Sequence, residues 1–252
     1  MNEMIKTKPQ DEATAFWDKL YTDDPDRVGP QARQLALATR AAIAYFGDLK
    51  GKTVLDIGCG NGDSSFAFAK HGANVIAVDN SKVGIETLAK RCRQLGIDNI
   101  RPVVCDAMAI DTLGPFDFAF GAMILHHLEP FESFSVTLKR SLKEDGKAFF
   151  WENNANSKLL IWFRTHVVGK LWVPKYGDSQ EFPLTPDEVD MLRKYFSVRV
   201  FYPNMTFFVL FANYILRDRL TRQFAAVDDW LYRHNWLVKY SYQQYLYLTN
   251  RR

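Results

Sequence analysis

Val54-Leu55-Asp56-Ile57-Gly58-Cys59-Gly60-Asn61-Gly62 decides the reading of this chain. An apolar run carrying a single acid reads as a buried β-strand, and the glycines that follow read as a turn into a helix. Glycine at alternate positions lets the backbone turn sharply and pass close beneath a ligand, where a Cβ would collide. The helix start beyond Gly62 offers unpaired N–H groups and the positive end of a dipole. Such a corner, at the carboxyl edge of a parallel sheet, is a nucleotide-cofactor site. The dinucleotide fingerprint G-x-G-x-x-G would need its third glycine at position 63, where Asp63 stands. The pattern is instead Asp-x-Gly-x-Gly-x-Gly. An acid at the strand end suits a cofactor that presents an ammonium group better than one that presents a pyrophosphate.

Outward from this corner the strands repeat one design. Val75-Ile76-Ala77-Val78-Asp79 is a second apolar strand ending in an acid, and a carboxylate there can accept two hydrogen bonds from a ribose diol. A third strand, Ile100 to Cys105, ends in Asp106-Ala107-Met108. A fourth, Phe116 to Phe120, runs into Gly121-Ala122-Met123-Ile124-Leu125-His126-His127-Leu128. Taken in this order, residues 45–152 resemble the class I S-adenosylmethionine (SAM) dependent methyltransferases of small-molecule type. The resemblance implies an α/β fold with a Rossmann-like, seven-stranded, mostly parallel sheet, helices on both faces and an antiparallel last strand. It implies SAM as cofactor and S-adenosylhomocysteine as product. It gives Asp56, Gly58, Cys59, Gly60, Asp79, Asn80, Asp106, Ala107 and Gly121 to the cofactor, with Asp79 on the ribose diol and the segment from Asp106 and Ala107 at the adenine.

The whole chain sets bounds on function. At 252 residues and 47% hydrophobic content it can bury a full core as one domain. A net charge of +3 is too mild for nucleic acid, which needs a concentrated basic face. Cys59, Cys92 and Cys105 lack metal or disulfide spacing and read as reduced thiols in a cytoplasmic protein. The opening residues are polar, so no secretory leader is expected, and no apolar run reaches a membrane span. The histidines are scattered apart from one adjacent pair, so no metal is expected.

The single domain, 1–252, divides into N-terminal helices over the cofactor (1–47), a SAM-binding core (48–152) and acceptor-side inserts with the last two strands (153–252). In the resembling family the N-terminal helices close over the cofactor, which would let Trp17 or Tyr21 line its methionine end; packing onto the sheet is the alternative. Within the core, Ile85, Leu88, Ala89 and Cys92 mark a sheet-packing helix face, as do Phe131, Phe134, Leu138 and Leu142. Thr185-Pro186-Asp187-Glu188 is a capping box that opens another helix. Val198 to Tyr202 and Lys239 to Thr249 read as the last two strands, the latter with Tyr240, Tyr242, Leu246 and Leu248 on one face. The stretches 153–184 and 203–238 exceed what a minimal plan needs, and both leave the sheet at its carboxyl edge. They hold Trp162, Phe163, Trp172, Tyr176, Phe207, Phe208, Phe211, Tyr214, Trp230, Tyr232 and Trp236. A helical, aromatic-rich lid over an apolar or aromatic small-molecule acceptor is expected. Residues 207–222, an apolar run followed by Arg217, Arg219 and Arg222, fit either a buried lid helix or a peripheral contact with a membrane interface.

For the chemistry, transfer from a sulfonium needs mainly alignment and exclusion of water. A base matters only where the acceptor must lose a proton. His126 and His127, just after the fourth strand, are candidates for that base. Glu152, with Asn153 beside it, is a candidate to orient the acceptor or fix a histidine tautomer. Oxygen, nitrogen, sulfur and carbon acceptors all stay open. A protein or RNA methyltransferase, a catalytically silent SAM-binding subunit and a non-methylating use of SAM are the competing functions. Oligomeric state cannot be read.

Overall fold

A computed structural model describes residues 14–15, 18–19, 22, 32–168, 182–216 (the side chain of Tyr214 excepted), 219–234 and 237–250. Trp17, Tyr21, Trp172, Tyr176, Arg217 and Trp236, all named above, lie outside them.

Seven strands form one sheet: β1 (Thr53–Ile57), β2 (Asn74–Asp79), β3 (Ile100–Val104), β4 (Phe116–Ala122), β5 (Leu142–Asn153), β6 (Phe196–Phe201) and β7 (Gln243–Asn250). Their order is β3-β2-β1-β4-β5-β7-β6. Neighbours among β1 to β5 pair in parallel, and β7 runs antiparallel to both β5 and β6. The central strands β1, β2 and β4 are largely apolar because both faces of the sheet are covered there. On one face lie α1 (Ala32–Phe46), α2 (Asp63–Lys70) and α3 (Lys82–Leu95), with Phe46, Phe68, Leu88, Phe120, Phe149 and Trp151 in their core. On the other lie α4 (Phe131–Ser141) and α6 (Pro186–Tyr195), packed on Leu55, Phe134, Leu138, Phe150, Leu192 and Leu246. The side chains of β5 alternate between the two cores, as the pleat requires.

The local signals act as read. Ser81 accepts the Gly84 N–H at 3.0 Å at the start of α3. At α6 Thr185 and Glu188 make the reciprocal capping box. The last strand begins later than its sequence suggests. Val238–Tyr240 form a 3-10 turn, and the Asn154 side chain donates to the carbonyls of Lys239 (3.0 Å) and Ser241 (2.8 Å). With those carbonyls taken, the β5–β7 ladder starts at the Asn153–Gln243 pair, so Tyr240 and Tyr242 fall outside the strand while Leu246 and Leu248 share its buried face.

Both inserts are helical. After β5 comes α5 (Lys158–His166); between β6 and β7 come α7 (Phe208–Ile215) and α8 (Thr221–Tyr232). The buried Asp228 carboxylate on α8 accepts the backbone N–H groups of Phe207, Phe208 and Val209 at 3.1, 2.9 and 2.9 Å, capping α7 from its neighbour. Phe211 lies 6.3 Å from Phe163 on α5 and 6.1 Å from Phe224 on α8, so the two inserts meet through rings. Among the described residues no helix is long and apolar enough to cross a membrane.

Candidate active site

The loop after β1 turns through three left-handed glycines, Gly58 (φ 67°), Gly60 (φ 52°) and Gly62 (φ 91°), a conformation that costs other residues. A Cβ on Gly58 would lie 2.9 Å from Ile124 Cδ1, so the loop packs directly under the segment that follows β4. The N–H groups of Gly58 and Cys59 donate to Val78 O. Asp79, at the end of β2, takes the Gly60 N–H on one carboxylate oxygen (2.9 Å) and the Ser81 N–H on the other (2.8 Å). Ser81 in turn donates to Asp18 Oδ1 at 2.5 Å, bringing the N-terminal segment to the end of β2.

Asp56 is buried, and its Oδ2 accepts from the hydroxyls of Ser64 (2.7 Å) and Ser65 (2.6 Å) in the first turn of α2. Asp106 caps the 3-10 turn Ala107–Thr112 by accepting the Met108 N–H at 2.8 Å, with Ala107 buried beside it. Gly121 sits beside Ile57 in the sheet, where a Cβ would strike Ile124 and Phe150. The carboxyl ends of β1 to β4 thus bring the loop glycines, Cys59, Asp79, Asn80, Asp106, Ala107 and Gly121 to one edge. The expected cofactor fits what stands there: a loop lacking Cβ atoms, a half-buried acid at the β2 end and an exposed one after β3. Among the described residues no cluster of three His, Cys, Asp or Glu could hold a metal ion.

Burial sets the ionisation of this corner. It pushes the Cys59 thiol well up, with the charges of Asp56 and Asp79 adding to it. It lifts the Asp56 carboxyl to about 6, against the opposing serine hydrogen bonds and with help from Asp79. Asp117, at the start of β4, goes the other way. Burial would raise it, but Lys143 and the N–H and hydroxyl of Thr53 outweigh that and hold it at about 2. The lowered Asp117 gives stability that is present above the ordinary value of 3.8 and lost as pH falls toward 2. The raised Asp56 gives stability that is present below 3.8 and lost as pH rises through 6. For Asp56 the swing is on the order of 3 kcal/mol. Urea titrations of the cofactor-free protein are expected to show stability falling from pH 4.5 to 7.5, and Asp56→Asn is expected to flatten that fall. An unchanged slope in the variant would remove Asp56 as its origin.

The second part of the site is built on Glu152, near the end of β5 and fully buried. Its Oε1 accepts the N–H groups of Ile124 (2.8 Å) and Leu125 (2.6 Å), and its Oε2 meets His126 Nδ1 at 2.6 Å. A carboxylate already accepting two amides is an acceptor for the third contact as well, so His126 Nδ1 carries the hydrogen, and in the neutral ring the lone pair then lies on Nε2. The preceding Met123 has a left-handed backbone (φ 56°) and donates its N–H to Trp151 O at 2.8 Å, turning the chain sharply out of β4. His127 lies against His126, ring centroids 4.1 Å apart, and is more exposed. Asn153 pairs with Gln243 in the sheet and gives its carbonyl to the Leu184 N–H. Glu152 therefore touches His126 as the tautomer-fixing alternative requires, while Trp17 lies outside the described residues.

Several contributors escaped the sequence reading. Ser64 and Ser65 carry a signal, two hydroxyls one turn into a helix that faces an acid. Asp18 and Asn154 carried none, since each acts on a residue distant in the chain.

A family model described as a methyltransferase domain matches residues 54–146. The ubiquinone biosynthesis O-methyltransferase of Caulobacter vibrioides is 30% identical over 186 residues, which cover 70% of this chain and 73% of that protein. Among solved structures, the geranyl diphosphate C-methyltransferase of Streptomyces coelicolor, in complex with S-adenosylhomocysteine, shares 15% identity. It covers 98% of this chain and 100% of its own, with a TM-score of 0.64. The [4+2]-cyclase SpnF shares 18% identity and covers 99% of each chain, with a TM-score of 0.65.

Proposed function

The chain belongs to the class I SAM-dependent methyltransferases, and on that footing we propose that it moves the SAM methyl group to a small, partly apolar acceptor bound between the sheet's carboxyl edge and the α5–α7–α8 inserts. The bound cofactor supplies the activated methyl on its sulfonium. The chain's own residues orient and exclude water: the glycine loop with Asp56, Cys59 and Asp79 holds the cofactor's amino-acid and ribose ends, Asn80 sits beside the ribose, Asp106 and Ala107 flank the adenine, and Gly121 leaves room at the transfer edge. Trp17 is assigned to the methionine end.

For a hydroxyl acceptor, His126 Nε2 takes the proton as the methyl arrives, while Glu152 fixes the imidazole and His127 stays at the rim. The whole chain acts as one domain, its N-terminal residues covering the cofactor and its inserts the acceptor. The observation that carries this reading is the Glu152–His126 contact, placed one strand away from a SAM-type glycine loop.

A fold shared with a cyclase does not decide the reaction, so the test must follow the methyl group. Incubation with methyl-labelled SAM and a cell extract is expected to place label in the organic-soluble fraction. Label in the acid precipitate would overturn the small-molecule reading in favour of protein or RNA. SAM binding without any label would favour a silent subunit.

The inserts also support a peripheral membrane contact. Leu159, Trp162, Phe211, Leu220, Val227 and Trp230, six of the ten exposed large hydrophobics among the described residues, stand on α5, α7, α8 and the α7–α8 junction, with Arg219 and Arg222 exposed beside them. Co-flotation with anionic vesicles, lost at high salt and in Trp162→Ser/Trp230→Ser, is expected. Absence of flotation at low salt would remove this contact.

A further inference from the structure

Gly60 and Gly62 flank Asn61, and both hold left-handed backbone. Glycine enters either sign of φ at little cost, so left to itself this segment would sample many shapes. A cofactor that had to order it would bind more weakly for that reason. The chain holds the loop from several sides instead. The Gly62 N–H donates to Cys59 O at 2.9 Å and closes a turn over Gly60 and Asn61. Asp79 takes the Gly60 N–H at 2.9 Å.

The carbonyl at the exit of that turn is held from α3. Arg91 Nη1 donates to Asn61 O at 2.6 Å and to Asp63 Oδ1 at 3.1 Å. The guanidinium lies over the Phe66 ring, 4.8 Å from its centroid, so stacking fixes its direction as well as hydrogen bonding. The helix puts it there. Leu88, one turn earlier on the same face, packs so closely on Gly62 that a Cβ at Gly62 would lie 2.3 Å from Leu88 Cδ1. Helix side chains lean toward the N-terminus, which for α3 is the Ser81 end beside Asp79. The Arg91 side chain therefore runs back along α3 to the loop. Of its two acceptors, the Asp63 carboxylate is 43% exposed and screened by water. The bond to Asn61 O is charge-assisted, falls on backbone between two glycines, and is the one that fixes the loop's shape.

We propose that Arg91 is a positioning residue for the cofactor: through the Asn61 carbonyl it presets the glycine loop, so that SAM meets a loop already turned. This rests on the SAM-binding reading and deepens it, because it places part of the cofactor's affinity on the outer side of α3. The role is separate from transfer. Arg91 stands on the α3 side of the sheet, while Glu152 shares the opposite face with Phe150.

The test compares wild type, Arg91→Met, which keeps an apolar stem on Phe66 and removes the donors, and Asp63→Asn, which removes the ion pair and leaves the Asn61 contact. Four quantities are read: SAM affinity by calorimetry, melting temperature without SAM, amide hydrogen exchange without SAM, and the initial rate of label transfer from methyl-labelled SAM into a fixed cell extract at saturating SAM. Arg91→Met is expected to bind SAM about tenfold more weakly, with faster exchange in residues 58–66 and a saturated rate within about twofold of wild type. Its melting temperature is expected to hold within about 3 °C. Asp63→Asn is expected to keep its SAM affinity within about threefold. An Arg91→Met affinity within about twofold of wild type overturns the proposal. So does an equal loss in Asp63→Asn, which would assign the effect to the ion pair, and so does a saturated rate that falls as far as the affinity. Where Arg91→Met melts lower, exchange decides: acceleration confined to the loop sustains the proposal, and acceleration throughout β1 and β2 overturns it. A wild type that binds no SAM defeats the cofactor reading and this proposal with it; a wild type that binds SAM beside an unaffected Arg91→Met defeats the proposal alone.

Discussion

Glu152→Ala is expected to destabilise the protein by about 3–5 kcal/mol, from two buried amides left without an acceptor at about 1–3 kcal/mol each and from the cavity the side chain leaves. For a chain of this size that lowers the melting temperature by roughly 6–20 °C. The carboxylate has no solvent to fall back on, and three donors depend on it: the N–H groups of Ile124 and Leu125 and the Nδ1 of His126. Removing it leaves two buried amides without partners and frees the imidazole to turn. Turnover at saturating SAM should therefore fall about 100-fold or more when the acceptor must lose a proton. Glu152→Gln separates the two effects. Its carbonyl oxygen can keep the two amides, so much of the stability should return. Its NH₂ group faces His126 Nδ1 as a donor and forces the other tautomer, so activity should stay low. A Glu152→Gln variant with wild-type turnover would show that the tautomer of His126 is immaterial and leave catalysis purely positional.

The fold was legible because its signals are local. The apolar strands, the capping box at Thr185 and the helix faces on α3 and α4 each lie within a short window and appear where expected, except that Leu142, expected on the α4 face, lies past the helix end as the first residue of β5. The seventh strand was legible from its own residues, and only its antiparallel direction came from the family resemblance. Its start was misplaced because the competing bonds come from Asn154, far away in the chain. The site divides in the same way. Asp56, Gly58, Gly60 and Asp79 were visible as a pattern at strand ends. That Asp56 spends one carboxylate oxygen on Ser64 and Ser65 was not, because it depends on how α2 folds back over β1. His126 and Glu152 were singled out separately for their positions after β4 and β5. Their contact is a product of parallel strands that bring the two chain segments to one edge.

Asp79→Ala is expected to weaken SAM binding by about two to four orders of magnitude while leaving the cofactor-free fold nearly as stable. The affinity loss has two sources. A ribose diol would lose its charged acceptor, and hydrogen bonds to a charged group are worth about 1.5–3 kcal/mol each. The Gly60 N–H, held by Asp79 Oδ2, would also be released, so the loop would no longer be preset in its left-handed turn before the cofactor arrives. The fold suffers less because burial already raises the Asp79 carboxyl, with the charge of Asp18 adding to that after the amide bonds are counted against it. Removing a group that is strained as an anion offsets part of what its two amide bonds contribute. Calorimetric titration with SAM beside a melting curve reads the two quantities apart. Equal losses in both would make Asp79 a structural clamp on the β2–α3 turn. A SAM affinity within threefold of wild type would place the ribose elsewhere on the edge, with Asp106 as the next acid able to hold it. Asp79→Asn should fall between wild type and alanine. Its single carbonyl can serve either Gly60 or Ser81, but its NH₂ group meets the other amide as a second donor, so it keeps the shape of the corner and loses its polarity.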